Sequence, residues 1–306
     1  MKIINFNNIK MVKTLLNKDI CSIIGNYYYN YNIRYELLDW IDKSKLNYMI
    51  LSGNENAVDF LKENPEKINW SYLSFNKNIK AIELLKANLD KINWHNLSAN
   101  KNPEAINILK ENKDKINWDY LSSNKNAIEL LRENPDKINW NYISSNENAI
   151  ELIKENINKI NWGLLSLNKN PKAIELLKEN PEKINWEYLS ANKNAINLIK
   201  ENPEKINWEY LSLNKNAIEL LRDNEDKIDW INLSINKRGI EIIDEYELST
   251  LDDINWLVLS KNYNAIKIFK ENQNKIVWNI FSNNKGIFKT IDNKKELINV
   301  VIKALS

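Results

Sequence analysis

Apolar residues along this chain recur in a fixed block: Ile-x-Trp-x-x-Leu, a polar stretch Ser-x-Asn-x-Asn, then Ala-Ile-x-Leu-Leu. Ten of the eleven tryptophans mark the block, Trp70, Trp94, Trp118, Trp140, Trp162, Trp186, Trp208, Trp230, Trp256 and Trp278, at spacings of 22 to 26 residues. Tyr48 holds the same place in an earlier copy, so the chain carries eleven, numbered here 1 (Tyr48) to 11 (Trp278). A period this short is the signature of one supersecondary unit copied many times. Two residues before the aromatic stands Ile, or Leu46 in copy 1; three after it stands Leu, Ile143 or Phe281. The fourth and sixth residues after it are Ser and Asn in all eleven, from Ser52 to Ser282 and from Asn54 to Asn284.

Each half of the unit predicts a short helix. Asn69 and most of its counterparts, with Asp229 in one copy, directly precede Trp, and both residue types accept the free N–H groups of a helical first turn. Trp70 and Leu73, at i and i+3, then share a face. Asn76 is expected as a left-handed residue closing that helix, a conformation Asn tolerates. The second helix is expected to start after Asn78, Asn102, Asn126, Asn148 and their equivalents, burying Ala81, Ile82, Leu84 and Leu85 or their copies. Pro65, Pro135, Pro181 and Pro203 stop it, because the residue before proline is pushed out of helical geometry. Pro103 and Pro171 fit a first helical position instead. The two extra residues of the longer copies lie there (NIKAI, NPEAI, NPKAI) and add half a turn.

Helices this short are marginal alone. Stacked copies bury one another's Trp, Ile and Leu in a continuous core, which predicts an all-α solenoid of about eleven helix pairs. At 8–10 Å per layer the open stack would extend on the order of 100 Å. Its ends, lacking neighbours, call for caps: residues 1–45, with Tyr27, Tyr28, Tyr29 and the out-of-register Trp40, and residues 285–306, where Leu297, Val301 and Leu305 form a helical stripe. The solenoid proper is residues 46–284. Copy 9 is irregular, with Gly239 in place of Ala and EYELSTLDD in place of the usual turn, and a bend is expected there.

The unit resembles the short Asn/Trp-rich helical repeats (NPxKIxWxxLSxNxxAIxLL) of giant DNA virus proteins. The resemblance runs over roughly residues 46–284, is clearest in NPEKINWEYLSLNKNAIELL at 202–221, and extends to LLDWI at 37–41. It implies a viral or virus-derived cytoplasmic protein and supplies no catalytic residues.

Composition narrows the chemistry. Lys and Arg number 43 against 41 Asp and Glu, so net charge gives no pull toward nucleic acid or membrane. One cysteine, Cys21, excludes an internal disulfide. The first twenty residues break their apolar runs with Asn and Lys, unlike a secretion signal, and a cytoplasmic location (or host nucleus or viral factory) is expected. His95, the sole histidine, has no second His or Cys partner for metal or catalysis, and neither GxGxxG nor GxxxxGK[ST] occurs. Glu83, Glu129, Glu151, Glu175 and Glu219 each stand three residues before Lys or Arg, an expected surface pairing. No enzyme activity, cofactor or metal is expected.

Three repeated features are candidate binding elements. The tryptophans lie between fixed Ile and Leu, where a structural core belongs rather than a base-stacking platform. The lysines at Lys67, Lys91, Lys115, Lys137, Lys159, Lys183, Lys205 and Lys227 are regular enough to track phosphates, but glutamates are interleaved with them. The fixed Ser and Asn are expected to close local turns. The copies disagree one and five residues after Trp, positions that form one stripe along the stack. Its apolar members, Phe75, Leu167, Leu213, Ile231, Ile235 and Leu257, are the candidate partner-binding stripe. The expected role is a monomeric, non-enzymatic scaffold for an unidentified protein, with a structural part of a viral assembly or a nucleic-acid-binding array as alternatives.

Overall fold

The computed structural model describes residues 33–243 and 256–291. Copy 7 shows the unit. Asn185 accepts the Tyr188 N–H at 2.9 Å and opens the first helix, Trp186–Ser190. The second helix is Ile196–Lys200, and a third element, the 3-10 turn Pro203–Lys205, leads to the next copy. Asn202 joins the last two by donating to the Leu198 carbonyl at 2.9 Å. Proline therefore both ends the second helix and, having no N–H to leave unsatisfied, opens the 3-10 turn.

Two local expectations are corrected. Asn76 is extended (φ −70°, ψ 120°), and no described residue has positive φ. The extended backbone lets its Oδ1 accept the Asn78 N–H while its Nδ2 reaches the copy before; a left-handed turn would end the helix without that reach. Asn78, Asn102 and Asn170 cap their second helices, as expected. In the shorter copies, however, Asn126 and Asn148 stand outside the helices, which start at Ile128 and Ile150 behind Ala127 and Ala149. There the amide serves the preceding copy, as in Asn126 to the Lys101 carbonyl at 2.8 Å. The inserted residues do lengthen the helix, as in Pro103–Glu111 against Ile128–Arg132.

Copies are joined by a ladder built on the residues fixed in all of them. The Ser190 hydroxyl donates to the Trp186 carbonyl at 2.7 Å and accepts the Asn207 N–H of copy 8 at 3.1 Å. Asn192 donates to the Ser166 and Asn168 carbonyls of copy 6 at 2.9 and 2.8 Å. These Ser and Asn side chains are buried in every copy, and no buried side-chain N or O among the described residues lacks a partner. They close local turns, as expected, and also stitch each layer to the next. Beside the ladder lies one apolar core, made of the fixed Leu together with Ala127, Leu130 and Leu131 and their equivalents.

The stack closes on itself. Asn47 of copy 1 donates its N–H to Ser282 Oγ of copy 11 at 2.8 Å, just as Asn69 does to Ser52 at 2.9 Å. Asn54 donates to the Ser282 and Asn284 carbonyls, both at 3.1 Å, repeating the rung that Asn76 makes to Ser52 and Asn54. A two-stranded antiparallel ribbon covers the joint, β1 (Tyr35–Leu37) on β2 (Phe288–Thr290), with Glu36 opposite Lys289. The solenoid is as expected, but its open course is not. Eleven wedge-shaped layers complete one turn, so the molecule is a ring roughly 30 Å across at the level of the helices rather than a rod on the order of 100 Å long. Copies 1 and 11 are each other's neighbours. Trp40 packs near Phe281, with ring centroids 6.3 Å apart, at this joint. The stripe Leu297, Val301 and Leu305, the tyrosines Tyr27–Tyr29, Cys21 and the segment 245–253 lie outside the described residues. Between copies 9 and 10 the Asn rung is kept, Asn262 donating to the Ser234 and Asn236 carbonyls.

Candidate binding surfaces of the ring

The tryptophans are half-buried and packed against the core. On most of them a lysine covers the remaining face: Lys91 lies over Trp70 at 4.6 Å from the ring centroid, Lys183 over Trp162 at 4.3 Å and Lys227 over Trp208 at 4.7 Å. Each lysine comes from the 3-10 turn that leads into the next copy. The joint is sealed alike, by Lys45 over Trp278 at 5.6 Å. Most of the lysine row that phosphates could have followed therefore serves as a set of lids, held by cation–π attraction, while Lys137 reaches Asp136 at 3.3 Å.

The expected ion pairs within second helices mostly form between copies instead. Lys86 reaches Glu104 at 3.1 Å, Arg132 reaches Glu155 at 2.9 Å and Lys178 reaches Glu201 at 3.8 Å. Arg222 pairs with its own Glu219 in the expected way, at 3.2 Å. The hydrogen bond from Lys86 holds the Glu104 carboxyl below the usual carboxylate range, and that from Lys172 does the same for Glu151. His95 is exposed and meets the edge of Tyr120. The described residues hold no group of three or more His, Cys, Asp and Glu that could bind a metal ion, and no helix long and apolar enough to cross a membrane.

The variable stripe divides into three. Where the residue after Trp is Ser71, Asp119, Asn141 or Asn279, it accepts a hydrogen bond from the capping Asn of the next copy, for instance Asn139 to Asp119 at 2.7 Å. Leu167 and Leu213 are half-buried. The other apolar candidates are open: Phe75 is 54% exposed, Ile231 49%, Ile235 40% and Leu257 46%. Ile231, Ile235 and Leu257 belong to adjacent copies 9 and 10 and form one patch, whereas Phe75 stands apart in copy 2.

A further surface, not evident from residue pattern alone, lies seven residues after Trp. The residues there are Lys77, Lys101, Lys125, Lys169, Lys193, Lys215, Lys237 and Lys285, against Glu55, Glu147 and Tyr263. In an open stack, residues three copies apart would be separated by about 24–30 Å. Here Lys101 of copy 3 and Lys169 of copy 6 line one cavity of about 320 Å³, with Lys125, Glu147, Ser123, Ser145, Asn146 and Leu167. These side chains converge on the inner rim of the ring. Burial pushes the Lys169 amine below the usual lysine range. Glu147 opposes that shift, and Lys193, Lys101 and Lys215 add to it. The signal was present as a Lys recurring at one register position, but its inward aim depends on ring closure.

Comparison with family models finds no match, and neither do comparisons with curated proteins and with solved structures.

Proposed function

We propose that this protein is a non-enzymatic scaffold, a closed repeat ring that binds a protein partner through the apolar patch of copies 9 and 10. The observation that supports it is Ile231, Ile235 and Leu257, three large apolar side chains exposed together at positions that are mostly polar or small elsewhere in the ring. A patch of this kind marks an interaction site more often than isolated exposed residues do. Copies locked by the hydrogen-bonded ladder lose little conformational entropy on binding, so modest contact area suffices. Growth by end-to-end addition is not part of the proposal, because copies 1 and 11 already occupy each other. The resemblance to repeats of giant DNA viruses makes a viral or virus-derived protein, acting in the cytoplasm or a viral factory, the origin we propose.

The test is affinity capture from nuclease-treated lysate of the native host, followed by reconstitution from purified components. The intact chain is compared with Ile231→Glu/Leu257→Glu, which alters exposed side chains. A 1:1 partner bound by the intact chain and weakened at least tenfold by the double variant is the expected result. A reconstituted partner indifferent to the variant, or no partner, would overturn the proposal.

A further inference from the structure

The inner rim concentrates charge that the molecule as a whole does not carry. Net charge over the chain is +2, yet the position seven residues after Trp holds eight lysines and two glutamates. The glutamates are already engaged: Glu55 with Lys77 at 3.0 Å and Lys285 at 2.6 Å, and Glu147 with Lys125 at 3.1 Å. Lys101, Lys169, Lys193 and Lys215 make no ion pair among the described residues. They are held near one another by ring closure, so each charged amine opposes the next, and a bound anion would relieve that repulsion.

We infer that the inner rim, centred on the cavity between Lys101 and Lys169, binds a compact polyanion carrying several phosphate groups. Lysine suits this ligand, because its ammonium is a point charge with three rotatable donors that follow phosphate oxygens without a fixed geometry. A cavity of about 320 Å³ accommodates a small molecule and excludes a nucleic-acid duplex. Single-stranded nucleic acid is disfavoured as well, since it needs a succession of aromatic platforms. Five and seven residues after Trp, the two registers that line the cavity, the only aromatic residues are Phe75 and Tyr263, and Lys237 lies over the latter at 5.1 Å. The cavity is lined by copies 3 to 6, whereas the apolar patch lies on copies 9 and 10, so failure of the cavity site would leave the scaffold proposal standing.

The experiment titrates the full chain by calorimetry and thermal denaturation with tripolyphosphate, inositol hexakisphosphate and ATP. An oligothymidylate and an Asp/Glu-rich peptide serve as competitors of other classes. Lys101→Gln/Lys169→Gln is compared with Lys110→Gln/Lys154→Gln, which removes the same charge from exposed second-helix positions. At least one phosphorylated compound should bind at 1:1 stoichiometry and raise the melting temperature. The rim variant should weaken it tenfold or more while its own unliganded melting temperature holds or rises, and the outer variant should leave binding within about twofold. Which compound binds identifies the source of the phosphates. Absence of binding by all three, equal weakening by both variants, or tighter binding of the oligothymidylate or peptide would each overturn the inference.

Discussion

At the scale of the residue, asparagine carries the structure. One Asn caps the first helix, a second spans two copies from a buried position, and a third closes the second helix, as Asn185, Asn192 and Asn202 do in copy 7. The spanning Asn is the most consequential, since removing it leaves carbonyls of the neighbouring copy buried without their donor, each costing about 1–3 kcal/mol. Asn124→Ala should therefore destabilise the ring by roughly 2–3 kcal/mol, measured by urea denaturation. Asn126→Ala, which removes an exposed bond to Lys101, should cost below about 1 kcal/mol. Equal costs at the two sites would mean that the buried ladder is not what holds copies together. The fixed Asn was visible in the sequence, but its role was not. Capping and cross-linking make the same demand on residue type, and only the extended backbone at Asn76 distinguishes them.

Among elements, the pair of helices was legible because their caps and apolar spacing repeat eleven times with little change. The 3-10 turn was not, since three residues such as Pro203–Lys205 are too few to show a period. The surface pairing of Glu with Lys three residues on was misread for a similar reason: a helix of five residues places its ends as close to the next copy as to itself. Copy 9 tests how tightly the turn between helices is packed. A Cβ at Gly239 would come within 2.2 Å of the Leu233 carbonyl oxygen, where the other short copies accommodate Ala. Gly239→Ala should thus lower stability by about 1–3 kcal/mol through forced backbone displacement. A neutral or stabilising effect in thermal denaturation would show that this turn relaxes freely.

For the whole molecule, curvature decides what the surfaces can do. Each layer is turned by a fixed angle on the next, and eleven layers complete a turn, since copy 1 meets copy 11. That angle is a small difference between two packing distances, which residue types alone do not encode. An expectation of an open stack was the natural outcome. Closure gives every copy two neighbours, turns one register position into a converging rim of lysines, and leaves the apolar stripe in patches rather than as a continuous groove. Of the six apolar residues of the candidate stripe, Phe75, Ile231, Ile235 and Leu257 are open, whereas Leu167 and Leu213 are half-buried, because burial at one register position differs between copies.

Small-angle X-ray scattering of the monomer tests closure most directly. A closed ring of this length should give a radius of gyration of about 20 Å, the value for a compact chain of 306 residues. Its pair-distance distribution should end well short of the ~100 Å expected of an open stack. A radius of gyration near 30 Å, with distances extending to about 100 Å, would contradict the ring and with it the inner rim.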